Sequence, residues 1–250
     1  MLDVMPAANP AVLSALRDRI DHIGGQGAPR RAVLPFGVPD IDARIPKGGL
    51  AFGALHEIAG GANGAVDGAA AIAFAAGIAA RSGGRVLWAY TQPDLFAPAL
   101  ARSGLTDDKV VFFEAGDEAA VLGACEEALR HGGLTAVVGE LANLSRVASQ
   151  RLLMAAEGTG TLALIVRRWR RQVDAKDFGR PTAAFTRWRV TELNSAPLPV
   201  RGVGRARWML ELIRARGGEC HDFEVEACDG EGRIRLSGDA QMPNTLRAAS

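Results

Sequence analysis

Between Ala54 and Arg168 five short apolar runs alternate with four longer stretches of helical periodicity, and few folds accept that order. The apolar runs are "ALHEIAG" (54–60), "RVLWAY" (85–90), "KVVFFEA" (109–115), "LTAVVGEL" (134–141) and "TLALIVRR" (161–168). Between them lie "AVDGAAAIAFAAGIAARSG", "PDLFAPALARSG", "DEAAVLGACEEALRHGG" and "LSRVASQRLLMAAEGTG". Strands separated by helices of this length cannot be hairpins. They imply right-handed βαβ crossovers and a mostly parallel sheet with helices on both faces, an α/β fold. The third helix stops at Gly132–Gly133, and the second is expected to run from Pro93 to Gly104.

The pattern changes after Arg171. "QVDAKDFGRPTAAFT" reads as a loop. "RWRVTEL", "RARWMLELIRARGG", "HDFEVEACDG" and "GRIRLSG" then alternate with period two and are joined by short turns, so a C-terminal antiparallel strand extension is expected. Ahead of the alternation, Pro10–Ile23 has the spacing of an amphipathic helix, and Gly24–Ala32 is linker-like. The expected organisation is an N-terminal helix and linker over 1–34, a core with its extension over 35–240, and a tail over 241–250.

The most chemically suggestive stretch is "LHEIAGGANGAVDGAA", a strand, a glycine-rich turn and a small-residue helix. In a phosphate loop such a turn aims backbone N–H groups at the phosphates, while a Lys and a Ser/Thr supply the cation and the Mg²⁺-binding hydroxyl. Gly60 fits the first glycine of that pattern, with Gly61 and Gly64 in the turn. Ala65, Val66 and Asp67 stand where glycine, Lys and Ser/Thr belong. Asp67 would repel a triphosphate, and serves more simply as an acid in the first turn of a helix.

The lead-in "IPKGGLAFGALHEIAGG" and the order of elements resemble the RecA family. The resemblance narrows to the ImuA family of RecA-like accessory proteins through "PDLFAPALARSGL", "EALRHGGLTAVVGEL", "SQRLLMAAEGTGTLALIVRRW" and "APLPVRGVGRARWMLELIRARGG". It implies a RecA-like core and identifies further site positions. Gln92 stands where RecA proteins place a catalytic Glu. Gly139 stands at the metal-binding Asp, with Glu140 one residue later and expected to point to the opposite strand face. Arg168 stands at the γ-phosphate-sensing Gln. With all of these replaced, the resemblance implies a scaffold without ATPase activity, cofactor or metal. The partners it implies are an ImuB-type Y-family-like protein and an error-prone C-family polymerase. RecA itself and single-stranded DNA are further candidates. An active DNA-dependent ATPase and a SulA-like cell-division inhibitor are the alternatives.

Charge sharpens the partner question. Residues 167–218 hold thirteen basic groups against four acids, a local charge of +9 in a chain of net +1. Arg167, Arg168, Trp169, Arg170, Arg171, Arg180 and Arg187 are the candidate partner- or DNA-binding residues, because arginine grips phosphate and tryptophan stacks on bases. Trp188 and Trp208 alternate with arginines and read as core, whereas Trp169 in "RRWRR" reads as an exposed anchor. Cys125 is expected to be buried, and His56 to be packed or at a sheet edge. Cys220, His221 and Cys228 lack the spacing of a zinc site. Three widely spaced cysteines, no signal-peptide pattern and no membrane-length apolar run point to the cytoplasm.

Overall fold

The structure is a computed structural model, and it describes residues 32–169, 175, 178–195 and 202–238. The expected N-terminal helix and the tail lie outside these residues.

Val33–Leu34 (β1) pairs antiparallel with Leu50–Ala51 (β2). The short helix Pro39–Asp42 (α1) lies between them and is tied down by Asp42, which accepts the N–H groups of Phe36 and Gly37. The main alternation follows: Leu55–Gly60 (β3), Gly64–Ala80 (α2), Val86–Tyr90 (β4), Ala97–Arg102 (α3), Val110–Glu114 (β5), Glu118–His131 (α4), Ala136–Leu141 (β6), Arg146–Thr159 (α5) and Leu162–Arg167 (β7). Then come Thr186–Leu193 (β8), Arg207–Ala215 (β9), His221–Glu226 (β10) and Arg235–Leu236 (β11).

One nine-stranded sheet has the order β11-β10-β9-β8-β3-β7-β6-β4-β5. From β5 to β8 neighbouring strands are parallel, and beyond β8 they are antiparallel. The α/β class, the parallel sheet and the C-terminal antiparallel strands are as the sequence implies. Two details differ. Strand β8 belongs to the parallel set, because it docks beside β3 with Glu57 opposite Arg187 and Ile58 opposite Trp188. Helix α3 starts at Ala97, with Pro98 in its first turn, where a missing N–H is harmless. Pro93 precedes it in a connecting segment.

The stop expected at Gly132 is present, and side-chain caps start two helices. Asp117 Oδ1 accepts from Ala120 N at 2.8 Å and Ser145 Oγ from Ala148 N at 3.1 Å, starting α4 and α5. Gly132 and Gly160 end them in the left-handed conformation. Among the described residues no helix is long and apolar enough to cross a membrane.

The sheet has an apolar core on each face. Helix α2 packs on one face, where Phe36, Phe74, Trp188 and Trp208 form an aromatic cluster with centroid separations of 5.4–6.3 Å. Trp188 and Trp208 are thus core residues, as expected. Helices α4 and α5 cover the other face, where Val121, Cys125, Leu129, Leu152 and Ile165 meet. Cys125 is fully buried there, and burial pushes its thiol up to about 12.

His56 sits inside the sheet, between β7 and β8. It is not at an edge. Trp188 Nε1–H donates to Thr186 Oγ at 2.9 Å, and that hydroxyl donates to His56 Nδ1 at 2.8 Å. His56 Nε2–H donates to the carbonyl of Ala51 at 3.0 Å. The Ala51 bond holds a proton on Nε2, and burial lowers the pKa to about 4, which keeps the imidazole neutral near pH 7.

Small residues let α2 approach the rest closely. A Cβ on Gly77 would overlap Cys228 Sγ and come within 3.1 Å of Gly232 O, in the turn between β10 and β11. Gly77→Ala, which raises helix propensity, should nonetheless destabilise by about 1–3 kcal/mol in urea unfolding, and Cys228→Ala in that background should recover part of the loss. His56 is neutral when folded and ionises below pH 6.5 when unfolded. Stability should therefore fall by about 3 kcal/mol as pH drops from 6.5 to about 4, and His56→Gln should flatten that slope.

Candidate functional site

The chain crosses from β3 into α2 at Gly60, and the strand end and helix start come so close there that no side chain fits. A Cβ on Gly60 would lie 2.7 Å from both Asp67 C and Gly68 N. The turn carries the first three residues of a cleft of about 460 Å³ at the C-terminal end of the parallel strands. Such a crevice is where ligands settle in open α/β sheets. Gly60, Gly61, Gly64 and Ala65 form one wall, and Gln92, Asp94 and Arg168 face them. A second hollow of about 590 Å³ continues from Gln92 and Arg168 toward Glu118 and Asn143. The fold therefore gathers Gly60, Gly61, Gly64, Ala65, Gln92 and Arg168 at one place. Val66 is left outside the lining and is 44% exposed.

Asp67 turns away from the cleft. Its carboxylate is buried, accepting Asn63 N–H at 2.8 Å and Glu192 N–H at 2.9 Å. One of these donors belongs to the turn itself and the other to β8. The carboxylate thus supplies internally the negative charge that a helix N-terminus attracts, and it ties the turn to the strand beside it.

The opposite wall is an ion-pair chain. Arg168 donates to both Asp94 oxygens at 2.8 Å and to Glu140 Oε2 at 2.7 Å. Glu140 Oε1 accepts the Trp88 indole N–H at 2.7 Å. Burial raises the pKa of Glu140, and Arg168 and Trp88 offset only part of that rise. Hydrogen bonding to Arg168 lowers that of Asp94. Burial would depress Arg168, but Asp94 and Glu140 together raise it. Glu140 lies on the α2 face with Arg168, at the back of the cleft. The residue facing away is Gly139, whose added Cβ would lie 2.7 Å from Cys125 Sγ. Gly139 and Glu140 therefore point to opposite strand faces, as expected, and it is Glu140 that lies on the side of the cleft.

The basic segment also differs from expectation. Arg167 and Arg187, candidate surface residues, are buried on the other face of the sheet. They bracket Glu57, which is fully buried, at 3.2 Å each. Thr182 Oγ also donates to Glu57, and Arg167 donates to the carbonyl of Ala142 at 2.6 Å. Trp169 is half-buried: its N–H donates to Ala142 O at 2.9 Å, and its ring lies 5.5 Å from Phe178. It is held in place as structure and not presented as a free anchor. Arg180 is exposed, and Arg170 and Arg171 lie outside the described residues.

Further along, arginines meet carboxylates on neighbouring strands or turns. Arg189 meets Glu211, Arg205 meets Glu226 and Arg207 meets Glu224. Arg205 and Arg207 are thus matched by acids beyond residue 218.

Glu57 was not among the sequence candidates. Its signal was a lone acid inside an apolar strand, legible only once β7 and β8 are known to flank β3.

No family model matches the chain. Among curated proteins it is similar to the protein named ImuA from two strains of Caulobacter vibrioides, NA1000 / CB15N and ATCC 19089. It is 37% identical to each over 205 residues, covering 78% of this chain and 83% of the relative.

The ion-pair chain makes a pH-dependent prediction. Arg168→Ala leaves Glu140 buried without its cation and should cost about 3–5 kcal/mol at neutral pH in chemical unfolding. A carboxyl whose folded pKa lies above its unfolded value weakens the fold as pH rises between the two. The loss should therefore be larger at pH 8 than at pH 5, and Glu140→Gln in the same background should abolish that difference.

Proposed function

The chain belongs to the ImuA family, and on that premise we propose that it is a non-catalytic, RecA-like adaptor in damage-induced (SOS) mutagenesis and translesion synthesis. It joins an ImuB-type Y-family-like protein in the cytoplasm and so serves an error-prone C-family polymerase. RecA and single-stranded DNA are secondary partners in this reading. The burial of Arg167 and Arg187 favours protein over DNA as the main contact.

The observation that supports the loss of catalysis is the state of the cleft. A triphosphate site needs a cation and a metal-binding hydroxyl on the turn, and Val66 and Asp67 stand there. The cation that faces the turn, Arg168, already holds two carboxylates. An incoming triphosphate would have to displace Asp94 and would meet Glu140 behind it. Gln92, at the edge of the same cleft, can orient a water but cannot take its proton.

Titration of the full chain with a fluorescent ATP analogue should give no saturable binding in the low-micromolar range, with or without Mg²⁺, and no ATP turnover. Tight Mg²⁺-dependent binding would overturn the non-catalytic reading. Co-expression with the ImuB-type protein of the same genome should yield a co-purifying complex, and its absence would count against the adaptor role.

A further inference from the structure

Helices α4 and α5 lie side by side over the sheet, and the fold itself does not explain what lines their outward seam. On α5, Val147, Arg151, Met154 and Gly158 recur at the spacing of one helical stripe. On α4, Ala119, Gly123, Glu126 and Arg130 recur at the same spacing. The two stripes face each other, because Arg151 of α5 is paired with Glu126 of α4.

The apolar members are turned to solvent. Val147 is 67% exposed and Met154 71%. They stand two turns apart, about 10 Å along the helix axis. Ala119, Gly123 and Gly158 are exposed beside them. A Cβ on Gly123 would meet nothing within 4 Å, so packing among the described residues does not require a glycine there, although glycine weakens a helix interior. Its missing side chain lets another helix approach the α4 backbone closely. Exposed apolar side chains at two-turn spacing, flanked by small residues, form a strip on which such a helix can lie.

The charge of the seam is one-sided. Glu126 is the single carboxylate of the two stripes, and it holds both Arg130 and Arg151. Its side chain is 8% exposed, whereas theirs are 62% and 64% exposed. The carboxylate is thus spent below the surface while the cations remain at it, one charge in excess. Glu127 and Glu157 are exposed but lie off the stripes. An incoming carboxylate finds guanidinium groups already oriented, and charge-assisted bonds of that kind are strong.

We propose that the α4–α5 seam seats an amphipathic helix of a protein partner, with acidic residues beside its apolar stripe. Val147 and Met154 meet the apolar stripe, Gly123 lets the two backbones close up, and Arg130 and Arg151 take the carboxylates. This rests on the adaptor function proposed above and locates a surface that serves it.

The test measures the affinity of the full chain for the ImuB-type protein of the same genome. Val147→Glu with Met154→Glu should weaken it at least about tenfold while leaving the circular dichroism spectrum intact. Gly123→Gln should keep or raise the melting temperature and still weaken binding, a combination that a role in folding alone does not produce. Arg130→Gln, which leaves Glu126 paired with Arg151, should weaken binding and reduce its salt dependence. Tighter binding by Arg130→Gln would overturn the acidic character of the occupant. Wild-type binding that all of these variants leave unchanged would overturn the surface while sparing the adaptor reading. No wild-type binding would overturn the adaptor reading and this inference with it. Self-association of the wild type that the double glutamate variant abolishes would make the occupant a second copy and overturn the assignment to a foreign partner.

Discussion

The carboxylate of Glu57 has to be neutralised, and the centre of the sheet is built around that requirement. It is fully buried on β3, with Arg167 of β7 on one side and Arg187 of β8 on the other. An unpaired charge at such depth costs several kcal/mol, far more than a single surface contact contributes. A strand order that moved β7 or β8 away from β3 would strand one charge or the other. The guanidinium groups are covered in turn. Trp169 lies 5.4 Å from that of Arg167, and Phe178 lies 5.3 Å from that of Arg187. Trp169 and Phe178 thus close over the ion pairs, and Arg167 and Arg187 turn inward where a surface site was expected.

Arg167, the last residue of β7, and Arg168, which follows it, send their charges to opposite faces. Arg167 joins Glu57 under α4 and α5, and Arg168 joins Glu140 and Asp94 beside α2. On both faces an arginine is held by carboxylates of this same chain. Asp67 does the converse at the turn, where a carboxylate takes up backbone N–H groups. The cleft therefore keeps the shape produced by the glycine turn, while its charges are satisfied from within. Shape alone survives easily, because Gly60 is required by the close passage of strand and helix whether or not a ligand is present.

Much of this was legible in the sequence, for definite reasons. The strands and helices from Leu55 to Arg167 announced themselves because short apolar runs alternating with longer helical stretches are a local property. Trp188 and Trp208 could be read as core because they alternate with arginines along strands. The direction of β8 could not be read, since period-two alternation is the same whether a strand pairs parallel or antiparallel. The start of α3 was misplaced because Pro93 and Pro98 both suit a first helical turn, and Asp94 is drawn to Arg168 by a contact 74 residues away. The burial of Arg167 and Arg187 was hidden for a related reason. Alternation shows that neighbours in "VRRW" face opposite ways, but not that a carboxylate waits on one of those faces.

The two ends of the sheet are treated differently, and the cleft sits nearer the open one. At the β11 end the strands shorten, and the turn at Gly232 packs against Gly77 of α2, so the sheet finishes against its own helix. At the β5 end it finishes in exposed aromatic residues. The segment from Thr91 to Phe96 joins that end to the cleft: it leaves β4 beside the glycine turn, passes Asp94 and presents Phe96 at the start of α3. The bidentate hold of Arg168 on Asp94 consequently does two things. It occupies the position from which a cation would meet a phosphate, and it fixes the segment that leads to the apolar edge. A nucleotide that competed for Arg168 would loosen that segment, whereas the internal carboxylate keeps it in place without a ligand. Filling the cleft from within and holding Phe96 beside the open edge are consequences of the same ion pair.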